Sequence, residues 1–313
     1  IEATLKLRRQ NGMIFPEKIA MVYDPAIGNR INIMPCTLFT HRVAGTKLVS
    51  VFPENPTKRS LPNVIGLLIL QDSESGVPLA VMDATLISSV RTGGIAGVAA
   101  RYLANPDSAV VGIIGSGAQA RSQLMAMAEA LPRLAEVRVY SPTRKHREEY
   151  VREMGERYPF RLRACETAEE AMRDADILIT ATSAQAPLLK ARWVKPGTFY
   201  SHVAGWEDEY EVARMADKIV VDDWEMTKHR GSQTLARMYR EKLITDDGIH
   251  ANLEEIVGGE KPGRVRADER IYFSSVGLSI LDTAIADFIY QQALSKGIGA
   301  SLKLWEKPIW FWQ

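Results

Sequence analysis

The sequence predicts an α/β protein in which a strand-rich region is followed by a parallel sheet with helices on both faces. Three observations carry that expectation. From Ala109 onward strand-like and helix-like runs alternate. A glycine turn follows directly on the first of those strands. The stretch before it, from Lys18 to about Met82, reads as short β-type runs bounded by turn clusters.

In the first region the strands are expected over residues 18–23, 30–34, 43–51 and 65–70, separated by Asp24-Pro25 and Pro53-Glu54-Asn55-Pro56. Residues 71–76 read as a loop that joins 65–70 to 78–82 in an antiparallel hairpin. Ahead of them, residues 1–9 have the pattern of a helix already under way, stopped by Asn11-Gly12, so the natural start is expected upstream. A helix is predicted over residues 85–103. Its Gly93, Gly94, Ala96, Gly97, Ala99 and Ala100 permit close approach of another element, and Asn105-Pro106-Asp107 breaks the chain after it. Residues 109–114 form an apolar run of the kind that lies buried in a parallel sheet, and a helix runs on to about Leu131. Strands at 137–140, 177–180, 199–203 and 218–221 alternate with a charged helix at 144–158 and a short one opened by a capping box, Thr167-Ala168-Glu169-Glu170. Residues 250–270 are loop-rich. Residues 278–294 read as a final amphipathic helix.

Length and composition narrow the function classes. With 313 residues, against about 100–200 per domain, two domains or one interleaved body are expected. Hydrophobic residues make up 46% and charged residues 25%, enough for a sizeable core. The net charge of +1 supplies no global field for nucleic acid or a membrane surface. The longest apolar stretch, 64–70, is far short of the ~20 residues that span a bilayer. Nothing in the opening residues resembles a secretory leader. Cys36 and Cys165 are too few for a disulfide framework or a zinc site, and the five histidines lack metal-ligand spacing. The expectation is a cytoplasmic enzyme without a metal. Trp305, Trp310 and Trp312 form an aromatic tail suited to packing or subunit contact.

The most specific local signal is Gly115-Ser116-Gly117-Ala118-Gln119-Ala120, a G-x-G-x-x-A turn between a buried strand and a helix. Such a turn lets the backbone approach a pyrophosphate, which then sits at the positive helix N-terminus. At the end of the next strand an NAD site usually carries an acid for the ribose hydroxyls. Here the chain reads Tyr140-Ser141-Pro142-Thr143-Arg144-Lys145. Hydroxyls and cations without a carboxylate suit a 2′-phosphate, so NADP(H) is preferred and NAD(H) is the other possibility.

Two cations lie inside apolar elements: Lys47 in a strand and Arg91 in the small-residue helix. Each needs an anion, which is either an ion-pair partner or a ligand, unless its charged end snorkels to the surface. Lys18 and Arg30 read as strand-edge charges. His202 precedes Val203-Ala204-Gly205 at the C-terminal end of a strand, where sheet ligands bind, and reads as a packed histidine or a proton donor.

Taken together, these features resemble the ornithine cyclodeaminase/mu-crystallin family over about residues 15–290. The resemblance rests on Met34-Pro35, Thr46-Lys47-Leu48-Val49, Gly76-Val77-Pro78-Leu79-Ala80-Val81-Met82-Asp83, Arg91-Thr92 and the glycine turn. It continues through Trp193-Val194-Lys195-Pro196-Gly197, Gly259-Glu260-Lys261-Pro262-Gly263, Val276-Gly277-Leu278 and Asp282-Thr283. It implies a Rossmann NAD(P)-binding domain over 108–277, and an α+β substrate-binding and dimerisation domain made of 1–107 with 278–313. The active site is then a cleft between the two, in a homodimer.

By the same resemblance Lys47 and Arg91 hold and activate the substrate, the arginine gripping a carboxylate bidentately. Lys18 stands where the family has a further carboxylate-binding arginine, and Arg30 is a possible substitute. Gly115, Ser116, Gly117, Ala118 and Gln119 are implied to hold the dinucleotide, with Ser141, Thr143, Arg144, Thr182, Val203 and Gly277. The family's cyclodeaminase aspartate follows a Val-Gly-Ala-type turn. Here Trp206 follows Val203-Ala204-Gly205, leaving Glu207 or Asp208 as candidate replacements.

The implied activity is NAD(P)H-dependent reduction of an imine or ketimine, or reversible dehydrogenation of an amino acid, with an α-carboxylate on the substrate. The partner is then a small amino acid, keto acid or cyclic imine. The competing expectations are an NAD-dependent deaminating cyclisation of the ornithine type and a non-catalytic NADPH-dependent binder of small ligands.

Overall fold

Side chains alternate along Val43–Val51: Val43, Gly45, Lys47 and Val49 face inward, and the residues between them face out. The computed structural model describes residues 1–306; of the aromatic tail, Trp305 is exposed, and Trp310 and Trp312 lie outside the described residues. Val43–Val51 pairs antiparallel with Asn29–Leu38 on one side and Val64–Asp72 on the other. Pro78–Asp83 extends the sheet past Val64–Asp72, completing the expected hairpin. Met13–Ile14 and Ile19–Asp24 both pair with Asn29–Leu38. Lys18 thus falls just before its strand rather than in it.

The inner face of this sheet is covered by the helix Ser279–Lys296. Contact is close: a Cβ on Gly45 would lie 2.2 Å from Thr283 Oγ1, so only glycine fits there. The helix is not the amphipathic stripe expected. Its first turns, including Ile280, Leu281, Asp282 and Thr283, are buried almost all round, while Phe288 and Leu294 farther along are exposed. Burial follows position along its axis because the helix enters the protein at one end only.

The second sheet is wholly parallel. From edge to edge its strands are Ala251–Asn252, Lys218–Val221, Ile271–Ser274, Phe199–His202, Ile177–Thr180, Val110–Ile114, Glu136–Tyr140 and Arg161–Ala164. The chain order reverses between Val110–Ile114 and Ile177–Thr180, which opens a crevice at their C-terminal ends. Arg161–Ala164 and Ile271–Ser274 were not anticipated: the first alternates arginine on an edge, and the second is four residues after a loop-rich stretch. Thr167 accepts the Glu170 N–H, but the Glu170 carboxylate accepts the N–H of Glu166, so half of the expected capping box forms. A complete box sits instead at Asn252 and Glu255.

Two helices join the sheets. Thr85–Leu103 packs on Ala118–Ala130 through the small residues, as their run implied. A Cβ at Gly93 would fall 2.1 Å from the Ser122 carbonyl oxygen, and one at Gly97 2.9 Å from the Ala126 methyl. Buried Gln123 locks the pair by donating to the Thr92 carbonyl at 3.1 Å. Among the described residues no helix is long and apolar enough to cross a membrane.

Candidate active site

Asp282 lies in the first turn of Ser279–Lys296 and is fully buried. Its Oδ1 takes two cations at once: Lys47 Nζ at 2.7 Å from the antiparallel sheet and Arg91 Nε at 3.1 Å from the small-residue helix. Its Oδ2 has no hydrogen-bond partner among the described residues. Lys47 Nζ also donates to Ser88 Oγ at 3.2 Å. Burial lowers the Lys47 pKa to about 8; Asp282 opposes that shift and Arg91 reinforces it. Arg91 uses only Nε on Asp282, so its two terminal nitrogens have no hydrogen-bond partner among the described residues. They lie against Gly277, where a Cβ would come within 2.5 Å of Nη1 and where φ is +85°. A larger residue at 277 would push the guanidinium away.

The same Val276–Gly277 turn collects further charges. Lys18 Nζ donates to the Val276 carbonyl at 3.1 Å, and Arg230 Nη1 donates to that same oxygen. Buried Asp222 accepts the N–H groups of Val276 and Gly277, each at 2.8 Å. Burial raises the Asp222 pKa against those hydrogen bonds. Lys18 is pushed well below the usual lysine range by burial and then by Arg230. Arg230 falls to about 10 through burial and the facing charge of Arg30. Arg30 itself donates to the Gly28 carbonyl at 3.1 Å.

Lys18, Arg30, Lys47 and Arg91 therefore meet in one region, although they come from four separate stretches of the chain. Arg230 and Asp222 belong to it too and were missed. Asp222 follows directly on Lys218–Val221, so its place at the C-terminal end of a parallel strand was a usable signal. Arg230 sits in Lys228-His229-Arg230-Gly231, which carries no local mark.

On the parallel sheet, Gly115 has φ +115°, and a Cβ there would lie 2.3 Å from the Ala181 carbonyl oxygen. A Cβ on Gly117 would meet nothing within 4 Å. Gly117 caps the helix Ala118–Ala130 with no side-chain hydrogen bond, so the first-turn N–H groups are left for a ligand. Ala118 is exposed and Gln119 half-buried on that first turn. Ser116 and Ser141 hydroxyls are 3.0 Å apart, and buried Ser141 also donates to the Thr143 carbonyl at 3.3 Å. Thr143 and Arg144 are exposed, the latter paired with Glu148 one turn on. Open glycine backbone at a helix N-terminus, beside the switch in strand order, fits a dinucleotide pyrophosphate.

The third cluster bears on two readings that the sequence left open. Glu207 and Asp208, the candidate replacement bases, are both fully buried and committed to structure. Glu207 accepts from the Thr182 N–H and hydroxyl at 2.7 Å each, and from Thr180 Oγ1 and the Ala204 N–H at 3.0 Å each. It thus ties the loop after Ile177–Thr180 to the one after Phe199–His202 and holds Thr182 in place. Asp208 Oδ1 accepts from Thr234, Tyr272 and Tyr200 hydroxyls at 2.6, 3.2 and 3.3 Å. His202 is buried, with Nε2 donating to the Gly205 carbonyl at 2.6 Å and Nδ1 accepting from Ser274 Oγ at 2.9 Å. Burial drops its pKa to about 4, so it is neutral and packed.

Comparison with known proteins agrees with this architecture. The profile of the ornithine cyclodeaminase/mu-crystallin family matches residues 1–297. The N-((2S)-2-amino-2-carboxyethyl)-L-glutamate dehydrogenase of Staphylococcus aureus is 33% identical over 96% of this chain and 91% of its own length. The Δ1-pyrroline-2-carboxylate reductase of Thermococcus litoralis, solved with NADH and L-proline, superposes with a TM-score of 0.91 at 34% identity, covering 96% of this chain and 93% of that one. An archaeal alanine dehydrogenase dimer with bound NAD gives 0.90 at 35% identity, covering 97% and 92%. These relatives are oxidoreductases.

Proposed function

The chain belongs to the ornithine cyclodeaminase/mu-crystallin family, and from that premise we propose that it is an NAD(P)H-dependent oxidoreductase. The bond acted on is the C=N or CH–NH bond of an imine, ketimine or amino acid bearing an α-carboxylate. One observation carries this reading. Lys47 and Arg91 converge on Asp282 Oδ1 while the terminal nitrogens of Arg91 keep their hydrogen-bonding capacity. A guanidinium held by one edge offers the other edge to a carboxylate as a two-pronged donor.

Reduction adds a hydride to carbon and a proton to nitrogen, and a bound nicotinamide dinucleotide supplies the first. We assign the proton to Lys47, whose pKa of about 8 keeps it available near neutrality. Asp282 holds the ammonium in place, and Ser88 fixes a second of its N–H groups. Gly115, Ser116, Gly117, Ala118 and Gln119 would hold the pyrophosphate, with Thr182, Val203 and Gly277 along the remainder of the dinucleotide. The absence of a carboxylate at residues 140–145, with Arg144 exposed there, favours NADP(H) over NAD(H). Relatives act on alanine, a pyrroline carboxylate and an aminocarboxyethyl-glutamate by name, so the family places no single side chain on the substrate.

Substrate binding and dimerisation are assigned to 1–107 with 278–313, and dinucleotide binding to 108–277. The exposed outer face of the antiparallel sheet, with Ile65, Leu67 and Val81, supports a homodimer, as does the dimeric alanine dehydrogenase. Two unpaired cysteines suit a cytoplasmic setting.

The test is a panel of keto acids with ammonia or methylamine, followed by NADPH and NADH absorbance. Stoichiometric oxidation of the cofactor with amine formation is expected, faster with NADPH. Ammonia release from ornithine without net cofactor turnover would replace this reading by cyclodeamination, and cofactor binding with no turnover by a binding role.

A further inference from the structure

Five basic side chains gather where the cleft between the two domains is expected: Lys18, Arg30, Lys47, Arg91 and Arg230. Within the same cluster stand two carboxylates, Asp222 and Asp282. The nearby Arg8 does not add to the positive excess, because Asp223 and Glu254 pair with it at 2.6 and 3.4 Å. Asp282 is taken up by Lys47 and Arg91, and both Asp222 oxygens accept backbone N–H groups. Lys18 and Arg230 are left sharing one neutral acceptor, the Val276 carbonyl, and Arg30 has only the Gly28 carbonyl of its own turn. Half-buried cations held on neutral oxygens stay charged at a cost that an anion between them removes. One α-carboxylate on Arg91 leaves the Arg30–Arg230 side of the cleft still in excess of positive charge.

From this juxtaposition we infer that the substrate carries a second acid group, held by Arg230 with Arg30 opposite it, while Arg91 takes the α-carboxylate. The substrate class is thus an amino or imino diacid or larger polyacid rather than a small neutral-chain amino acid. The inference rests on the oxidoreductase reading of the same cleft and deepens it. Lys18, whose Nζ lies on the same carbonyl as Arg230, is a further donor beside that position.

The test compares pyruvate, oxaloacetate and 2-oxoglutarate, each with ammonia, on the full chain with NADPH. A KM for at least one diacid tenfold or more below that for pyruvate is expected. Arg230→Gln should raise the diacid KM at least tenfold and shrink the diacid-to-monoacid ratio, and Arg230→Lys should restore part of it. Arg30→Gln supplies the same test if the Arg230 variant does not fold. Equal KM values for mono- and diacids overturn the inference. So does an Arg230→Gln effect that falls on NADPH affinity alone or equally on every keto acid. If no keto acid is turned over, the oxidoreductase reading fails by itself. Titration of the NADPH-loaded protein with glutarate and with propionate then decides the present point: tighter glutarate binding, lost in Arg230→Gln, upholds it, and equal binding refutes it.

Discussion

Asp282 and Asp208 are both fully buried carboxylates, and both have one oxygen without a partner among the described residues. Their surroundings differ in one respect. Asp282 faces two cations, Lys47 and Arg91, whereas Asp208 faces the hydroxyls of Thr234, Tyr272 and Tyr200. With no cation bonded to it, burial raises the Asp208 pKa to about 7. Burial alone therefore marks neither a catalytic nor a structural acid. What the group is paired with decides, because a buried ion is tolerated only with a counter-charge or enough hydrogen bonds. The Asp282 cluster joins the antiparallel sheet to two helices and leaves Arg91 nitrogens to spare, whereas the Asp208 cluster draws only on hydroxyls from two parallel strands and the helix Thr234–Arg240.

The largest effect should come from removing the shared counter-charge. Asp282→Asn leaves two cations of the cleft uncompensated, and a loss of about 3–5 kcal/mol of unfolding free energy is expected from urea titration. A variant as stable as the parent would break the comparison. Next comes Arg91→Lys, which keeps the charge but loses the fork. The expected loss in kcat/KM is about 2–4 kcal/mol, with NADPH affinity retained because the glycine turn lies on the other sheet. A lower melting temperature with unchanged kcat/KM would instead make Arg91 a purely structural ion-pair partner.

The pH dependence sharpens the contrast. Reduction needs the Lys47 proton, so kcat/KM should fall above about pH 8, and the reverse oxidation, which needs the neutral amine, should rise through the same value. That limb should vanish in Lys47→Met. The smallest effect belongs to Asp208. The folded protein holds its proton up to about pH 7, whereas the unfolded chain releases it near the ordinary aspartate value. The folded state thus binds more protons between those two values, and stability from this group falls as pH rises across that window. Asp208→Asn should flatten the fall, narrowing the melting-temperature difference between pH 5 and pH 7.5 by roughly 2–4 °C per kcal/mol removed. Its kcat/KM profile should keep the limb near 8.

Much of this protein was legible locally. Thr85–Leu103, Ile177–Thr180 and Lys218–Val221 follow from runs and breakers, and the glycine turn at Gly115 from residue types that admit few other conformations. Those are short-range consequences of sterics and periodicity, and the chain determines them before it folds. Ile271–Ser274 was not legible, since a four-residue apolar run is defined as a central strand only by its neighbours. The site was legible in part: Lys47 and Arg91 stood out as cations in apolar elements, but the anion they share did not, nor did the convergence of Arg230 on the Val276 carbonyl. Arg91 and Asp282 are 191 residues apart in the chain, and Lys18 and Val276 are 258 apart. Which charges meet, and which are left over for a ligand, was decided by the tertiary structure alone, because electrostatic pairing depends on distance in space and a sequence records only order.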